Sequence, residues 1–577
     1  MGARPHRQQR RILPAMRYLT SPCGAWRLGC FIPCSSPRVT SGKRLVGFSR
    51  SVIWRRLWGI GMRRLVVVSA LGLLLSAVAA LPAAAATTVT LAEDHVGEYV
   101  ISSASNFTLN CNGFAIRPAS PADTFGVLII DSTNVTVKNC DISGFKIGVS
   151  VEESSSAVSI RNNHIHHNDW KGVQLVSVSG NEVRNNLVVD NLVSPGEDEP
   201  LSFGIELQHA DNNAVSGNTV TGHKNEQINL FGSDSNEVRG NTVMGGQAGI
   251  VLPESSSNLV QDNSAGGYLF GGFGVGQAGN DNTLKGNHAD GDGNGFGFTV
   301  HGSTGNLLKG NTAIDGIIGF SLDWAAAFNT LEGNEASGND IQFAVESSLE
   351  SGVLAHSEGN VLSNNVASGG FIGFFVRSSE DTTLRNNSAS GALGNGFSIE
   401  GSDMDSDYYR SNGAILTSNT ATGNGNRGFM VSDSWDVTLS GNQATDNAER
   451  GFLIRQGSDR STIENNVAEG NGDDGILVRD STGTTVRNNR TRRNVSSGLA
   501  IWNMTGATVT SNRSDRNGGG FSVYVTDEAP SVSVLSQNTA CHNEEFDGVD
   551  WSLSLGETDT ATWINNMLCD GLFIVQP

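Results

Sequence analysis

A recurring asparagine limits what this chain can fold into more than any other feature. It follows each "x-Val/Leu-x-x" at Asn163, Asn186, Asn218, Asn241, Asn263, Asn287, Asn311, Asn334, Asn365, Asn387, Asn419, Asn442, Asn466, Asn489, Asn512, Asn538 and Asn566. Eleven of the sixteen gaps are 22, 23 or 24 residues; the others are 26, 28, 31, 32 and 32. Cys140 lies 23 residues before the first, and Asn112 lies 28 before Cys140. A period of this length, unbroken by any change of composition, describes one repeat array and not several domains.

Each period holds three short runs of alternating apolar and polar residues between Gly, Asn, Asp or Ser turns, as in "TVRNNRTRRNVSSGLAIW". No run is long enough for a three-turn helix, which excludes leucine-rich and helical solenoids. Three strands per period, pairing in parallel with the next, predict a right-handed parallel β-helix. About nineteen coils at ~4.8 Å would extend on the order of 90 Å. The asparagines then form a ladder. An amide at a bend donates to one neighbouring coil and accepts from the other, netting ~1 kcal/mol where an orphaned amide costs ~1–3. Phe298, Phe320, Phe343, Phe374, Phe397, Phe429 and Phe452 make a second column, expected as stacked rings in the core.

The segment "MRRLVVVSALGLLLSAVAALPAAAA", residues 62–86, has the basic start, apolar run and A-x-A ending of a Sec signal peptide. The 61 residues before it hold twelve Lys or Arg and no acid, and read as an over-extended gene-model leader or else a long targeting extension. The remaining chain, 87–577, forms one domain with 24 basic (38 − 14) and 58 acidic residues, a net charge of −34. That surface disfavours nucleic acid, and other polyanions unless a cation bridges them. No other apolar stretch could span a bilayer. A secreted or periplasmic location permits disulfides. Cys541 and Cys569 each sit three residues after a ladder asparagine, in register one coil apart. Cys111 and Cys140 are also one coil apart but one position out of register. Both pairs fall within bonding reach and would pin the terminal coils.

"LNCNGFAI", "NVTVKNCDISGFKIGVSV" and the running "NNxxxxNxxxGIxL" pattern resemble the right-handed parallel β-helix repeat proteins. These include the NosD-like periplasmic copper-binding proteins, within the pectate-lyase-like superfamily. The resemblance covers residues 100–570 and implies fold far more strongly than activity, since such coils serve lyases, hydrolases, epimerases, tailspikes, adhesins and accessory proteins. The lyases' calcium aspartates and catalytic arginine find no matching motif, and the epimerases' DPH-type signature is absent.

In the superfamily, the resemblance implies, substrate lies across the strand that follows the turn glycine. The exposed position there reads His301, Asp323, Glu346, Arg377 and Glu400 over five consecutive coils. His301, Asp323 and Glu346 are the candidate catalytic groups, a base and two carboxyls, with Arg377 and Glu400 as substrate contacts. Exposed strand positions are also commonly charged for cross-strand pairing alone. Insertions at 347–360 and 401–415 leave this strand's end and could wall a cleft. Tyr408, Tyr409 and Trp324 offer faces for sugars, and Asp403, Asp405 and Asp407 are spaced for Ca²⁺, the one cofactor expected. In "NNHIHHNDW", His164 and His166 share a strand face beside a stacked Asp141 and could pinch Cu or Zn, or simply be surface histidines. The expected role is binding an extracellular or envelope polysaccharide, with or without cleaving or epimerising it. The alternative is a non-catalytic adhesive rod or NosD-like accessory protein; monomer and homotrimer both fit.

Overall fold

The computed structural model describes residues 86–192, 201–350, 353–404, 407–524, 533–551 and 561–574. The leader and signal expectations concern residues outside these. Among the described residues there is no helix, and therefore none long and apolar enough to cross a membrane.

One coil shows how the sequence builds the structure. Leu307–Lys309, Thr312–Ile314 and Ile318–Asp323 are its three strands, and each pairs in parallel with its counterparts one coil away. Gly310, at φ 60°, makes the tight bend between the first two strands. Asn185 and Asn488, at 53° and 56°, do the same elsewhere. Glycine and asparagine tolerate this left-handed conformation, and so they precede the ladder residue. Stacked coils form three parallel sheets of twenty strands each. The first coil, within Thr87–Ser102, stands ahead of the ladder from which the count of about nineteen began.

The ladder runs unbroken from Asn163 to Asn566. Asn287 donates its backbone N–H and its Nδ2 to Asn311 Oδ1 at 2.9 and 3.0 Å. Asn311 repeats both bonds to Asn334 at 2.9 and 3.1 Å, and its Nδ2 also reaches the Leu284 carbonyl at 2.9 Å. Every polar atom of a side chain that is fully buried thus has a partner. Cys140 takes the ladder position below Asn163, donating its N–H to Asn163 Oδ1 at 3.0 Å. Two further columns escaped the sequence reading. One links Asn181 to Asn360 at the bend before the first strand. The other links Asn424 to Asn543 at the bend after the second.

Inside the coil, Phe273 joins the seven expected phenylalanines in a stack with neighbouring centroids 4.7–4.9 Å apart and planes within 8°. A glycine precedes every ring of the stack except Phe343, which follows Gln342, and leaves room for the neighbouring coil. A Cβ on Gly451 would lie 2.6 Å from the Gly475 carbonyl oxygen. Both disulfides form, with Cα separations of 4.7 Å for Cys111–Cys140 and 5.1 Å for Cys541–Cys569. Asn110 pairs with Lys138, so Cys111 faces Asn139 and its partner is one residue further on, as expected.

Asn311→Ala would strand the Asn287 N–H and the Leu284 carbonyl in the interior. It is expected to lower unfolding free energy by about 3 kcal/mol or more in urea titration, at ~1–3 per orphaned group. Lys309→Ala, on the exposed side of the same coil, should stay within about 0.5 kcal/mol.

Candidate functional site

The outer face of the third sheet carries three lengthwise rows of side chains. The row predicted from sequence is in place. His301 pairs with Asp323 across adjacent strands, and Glu346 with Arg377, which pairs in turn with Glu400. His301 Nδ1 lies 2.7 Å from Asp323 Oδ1, and its ring stacks on Trp324 at 4.6 Å and 11°. Trp324 holds a left-handed bend, φ 49°, unusual for so large a side chain. Arg377 donates to Glu346 Oε2 at 3.2 Å. Burial raises the Glu346 carboxyl despite that guanidinium. Ser398 Oγ donates to Glu400 at 2.5 Å. The row is thus a chain of pairs: an imidazole–carboxylate couple able to move a proton, and beside it a guanidinium–carboxylate couple able to hold an anion, in which the buried Arg377 Nε–H has no acceptor among the described residues.

The two insertions form antiparallel hairpins, Ser348–Glu350 with Val353–Ala355 and Ser402–Met404 with Asp407–Tyr409. They meet where His356 and Tyr409 make an edge contact at 6.4 Å. Tyr409 also lies against the wall, its carbonyl accepting from Ser378 Oγ at 3.2 Å. The expected calcium ligands, Asp403, Asp405 and Asp407, and the ring of Tyr408 lie outside the described side chains.

Further along the sheet the same exposed row continues in the sequence as Ser432, Arg455, Arg479, Trp502 and Tyr524, but the apolar floor beside it and the arginines on the floor's other side were not read. Met430, Leu453, Leu477 and Ala500 form an apolar cluster separate from the interior core, with Trp502 packed on it. Arg427 and Arg450 bank one side of this floor, and Arg455 and Arg479 the other, in the rows before and after it. Arg427 pairs with Glu449 at 2.7 Å, and Arg450 with Asp473 and Asp474 at 2.5 and 3.3 Å. Arg455 makes no ion pair among the described residues, and the buried Nε–H groups of Arg427, Arg455 and Arg479 have no hydrogen-bond acceptor there. Burial, then the charges of Arg450, Arg455 and Arg479, pull the Arg427 guanidinium below its ordinary value although Glu449 opposes them. Beyond the banks, Arg450, Asp474, Trp502, Tyr524, Phe546 and Trp551 line a cleft of about 330 Å³. The signal was available: "RGF" at 427–429 and 450–452 repeats in the position just before the turn glycine, across the floor from the row that was read.

Nearer the N-terminus, Lys171 Nζ reaches Glu206 at 2.5 Å and Gln174 at 3.0 Å, and Gln174 bonds Ser150 at 2.8 Å. Glu226 shares this end of the sheet, buried, its carboxyl raised to about 7 by burial and by the neighbouring Glu206 charge, its own backbone N–H opposing. On the second sheet, Asp141 pairs in register with His164, and His166 follows on the same face. Asp141 Oδ2 is 3.0 Å from His164 Nδ1, and its Oδ1 is 3.3 Å from His166 Nε2 and hydrogen-bonded to Arg117. Burial would raise the Asp141 carboxyl, but the bonds from Arg117, His164 and His166 prevail and hold it at about 2.

The family described as "right handed beta helix region" matches residues 83–243 and 372–539. That described as "periplasmic copper-binding protein (NosD)" matches residues 199–351 and 277–407. No curated protein matches. Among solved structures, the chain is similar to the A-module of the Azotobacter vinelandii mannuronan C-5 epimerase AlgE6, at 16% identity and TM-score 0.30, covering 71% of this chain and 91% of that one. It is similar to the Dettilon tailspike protein at 15% identity and TM-score 0.34, covering 43% of this chain but only 58% of the tailspike. It is also similar to PfbA, a surface adhesin of Streptococcus pneumoniae, at 11% identity and TM-score 0.35, covering 60% and 85%. At these identities no residue role carries over.

The Glu226 environment has a measurable consequence. The folded chain keeps this proton up to about pH 7, whereas the unfolded chain releases it near 4.5. Stability should therefore be full below pH 4.5, fall by on the order of 3 kcal/mol as pH rises to 7, and level off above. Melting curves from pH 4 to 8 should show that Glu226→Gln removes this component of the wild-type slope.

Proposed function

Because the chain belongs to the right-handed β-helix family, whose shared property is the coil, we propose its function from its own outward side chains: it binds an acidic polysaccharide lengthwise along the third sheet, outside the reducing cytosol. The observation that carries this reading is the double bank of arginines over an apolar floor. In a chain of net charge −34 over residues 87–577, four guanidinium groups crowd together at Arg427, Arg450, Arg455 and Arg479; Glu449, Asp473 with Asp474, and Asp480 pair with three of them, and Arg455 makes no ion pair among the described residues. Such crowding is unfavourable alone and is relieved by an anionic partner, and arginine is the side chain whose geometry matches carboxylates. Trp502 and Tyr524, 6.1 Å apart at the end of the banks, supply faces for sugar rings. A polymer of repeating units suits a lattice of repeating coils.

On this reading, general avoidance of polyanions by the acidic surface is reversed locally. His301, held by Asp323, is the group placed to move a proton should the bound polymer be cleaved or epimerised, with Glu346 and Arg377 beside it. Calcium at the 403–407 aspartates remains part of the proposal. Two disulfides, and the partial match to proteins named periplasmic, support an envelope or secreted setting.

The test is binding of polygalacturonate and alginate, against neutral dextran and single-stranded DNA, in calcium and in EDTA. Uronan binding should weaken at least tenfold in an Arg455→Gln/Arg479→Gln variant, with a shallower salt dependence. Equal affinity for DNA, or uronan binding indifferent to both arginines, would overturn the reading. No binding at all would leave a non-catalytic rod or accessory protein. Loss of any polymer turnover in a His301→Ala/Asp323→Ala/Glu346→Ala variant, with binding retained, would assign chemistry to that row.

A further inference from the structure

The histidine cluster on the second sheet is independent of the polysaccharide face. From it we infer a metal site: His164 Nδ1, His166 Nε2 and an Asp141 carboxylate oxygen form a three-ligand seat for a divalent ion of the late first transition row.

The argument begins with register. Parallel pairing sets Asp141 directly beside His164, and the two-residue period of the strand returns His166 to the same face. Among the described residues this is the one group of three His, Cys, Asp or Glu side chains whose ligand atoms all lie within 4.8 Å of one another. Metal–ligand distances of ~2.0–2.2 Å in a tetrahedron put neighbouring donors about 3.3–3.6 Å apart. The His164 Nδ1–Asp141 Oδ2 separation, 3.0 Å, already lies close to that edge length, and His166 Nε2 approaches the other oxygen of the same carboxylate, Oδ1, at 3.3 Å. Two imidazoles and one carboxylate are the donor set of zinc and copper, not of calcium or magnesium.

The surroundings fit a ligand role. His167 Nδ1 lies 2.7 Å from His166 Nδ1, so His166 can present Nε2 to an ion while its other nitrogen donates to His167, the outer contact that fixes a liganding ring. Arg117 holds the far side of the carboxylate through Asp141 Oδ1 and the Asp141 carbonyl oxygen, the latter at 3.0 Å. That leaves Oδ2 for the ion, at an electrostatic cost that lowers affinity. The imidazoles now stack at 4.0 Å and 18°, and in-plane coordination requires one to turn. His164, whose side chain is 43% exposed, has the room. Three protein ligands leave a fourth position open to water or a partner molecule. None of these residues falls within 199–407, the span matched by the copper-binding family, so the site is not that family's by descent of sequence.

The experiment is calorimetric titration of the full chain with Zn²⁺ and, separately, Cu²⁺, after chelator treatment, with Co²⁺ absorption as a second readout. One equivalent should bind, with a tetrahedral Co²⁺ spectrum. His164→Gln and His166→Gln, both surface changes whose folding is checked by circular dichroism, should each weaken that equivalent at least a hundredfold. His167→Ala should weaken it about tenfold, as loss of an outer-shell contact does. His356→Ala, on a distant hairpin, should leave it unchanged. No bound equivalent in the wild-type chain, or one that survives His164→Gln and His166→Gln, would overturn the inference and leave an ion-pair network.

Discussion

The structure depends on one interaction: an asparagine amide that accepts from the coil on one side and donates to the coil on the other. A single coil of some 23 residues has three short strands and too little interior to bury. It gains a core only from its neighbours, and the bend between its first two strands turns backbone N–H groups inward, where no water reaches. The amide at that bend satisfies them, and each rung is satisfied by the next. The chain of bonds from Asn163 to Asn566 is therefore continuous, and it needs an end. At the N-terminal side the end is Cys140, which keeps the backbone bond and exchanges the amide ladder for a covalent link to Cys111.

From the ladder follows a lattice. Every outward position recurs one coil further on, so side chains of like position line up in rows, and a row takes its character from whatever the repeats have placed there. Along the third sheet, one outward row passes from a half-exposed His–Asp couple through a Glu–Arg couple to Arg455, Arg479, Trp502 and Tyr524. On a few coils of a chain that is negative overall, guanidinium groups gather, with Glu449, Asp473, Asp474 and Asp480 set against three of them. The global balance is a matter of solubility; recognition is decided within one Debye length of the surface.

The candidate sites were legible only in part, and the reasons are specific. The row His301 to Glu400 could be read because strand alternation and coil period place it without knowledge of packing. Arg427 and Arg450 were missed because they precede the turn glycine, where the chain kinks and simple alternation no longer tells which way a side chain faces. Lys171, before Gly172, was missed for the same reason, and Glu226 occupies the same place in a coil where Gln227 replaces the glycine. The second and third asparagine columns escaped because each covers only part of the chain: at the bend after the second strand Asn191 is followed by His223, 3.0 Å away, and a continuous column begins only at Asn424. The pairing of His164 and His166 with Asp141 was visible because all three fall inside regular strands.

What the sequence determined by itself was the coil: its period, its parallel register, the phenylalanine stack and both disulfides. These follow from local periodicity repeated many times, and repetition makes a weak local signal unambiguous. What only the tertiary structure decided was which outward groups meet. The contact between His356 and Tyr409, 53 residues apart on two hairpins, the arginines facing one another across an apolar floor, and the cleft lined by Trp502 and Trp551 depend on side-chain direction and reach across rows. Periodicity fixes a position along the rod, but the distance between two side-chain tips is set by rotamers and packing, which no spacing encodes.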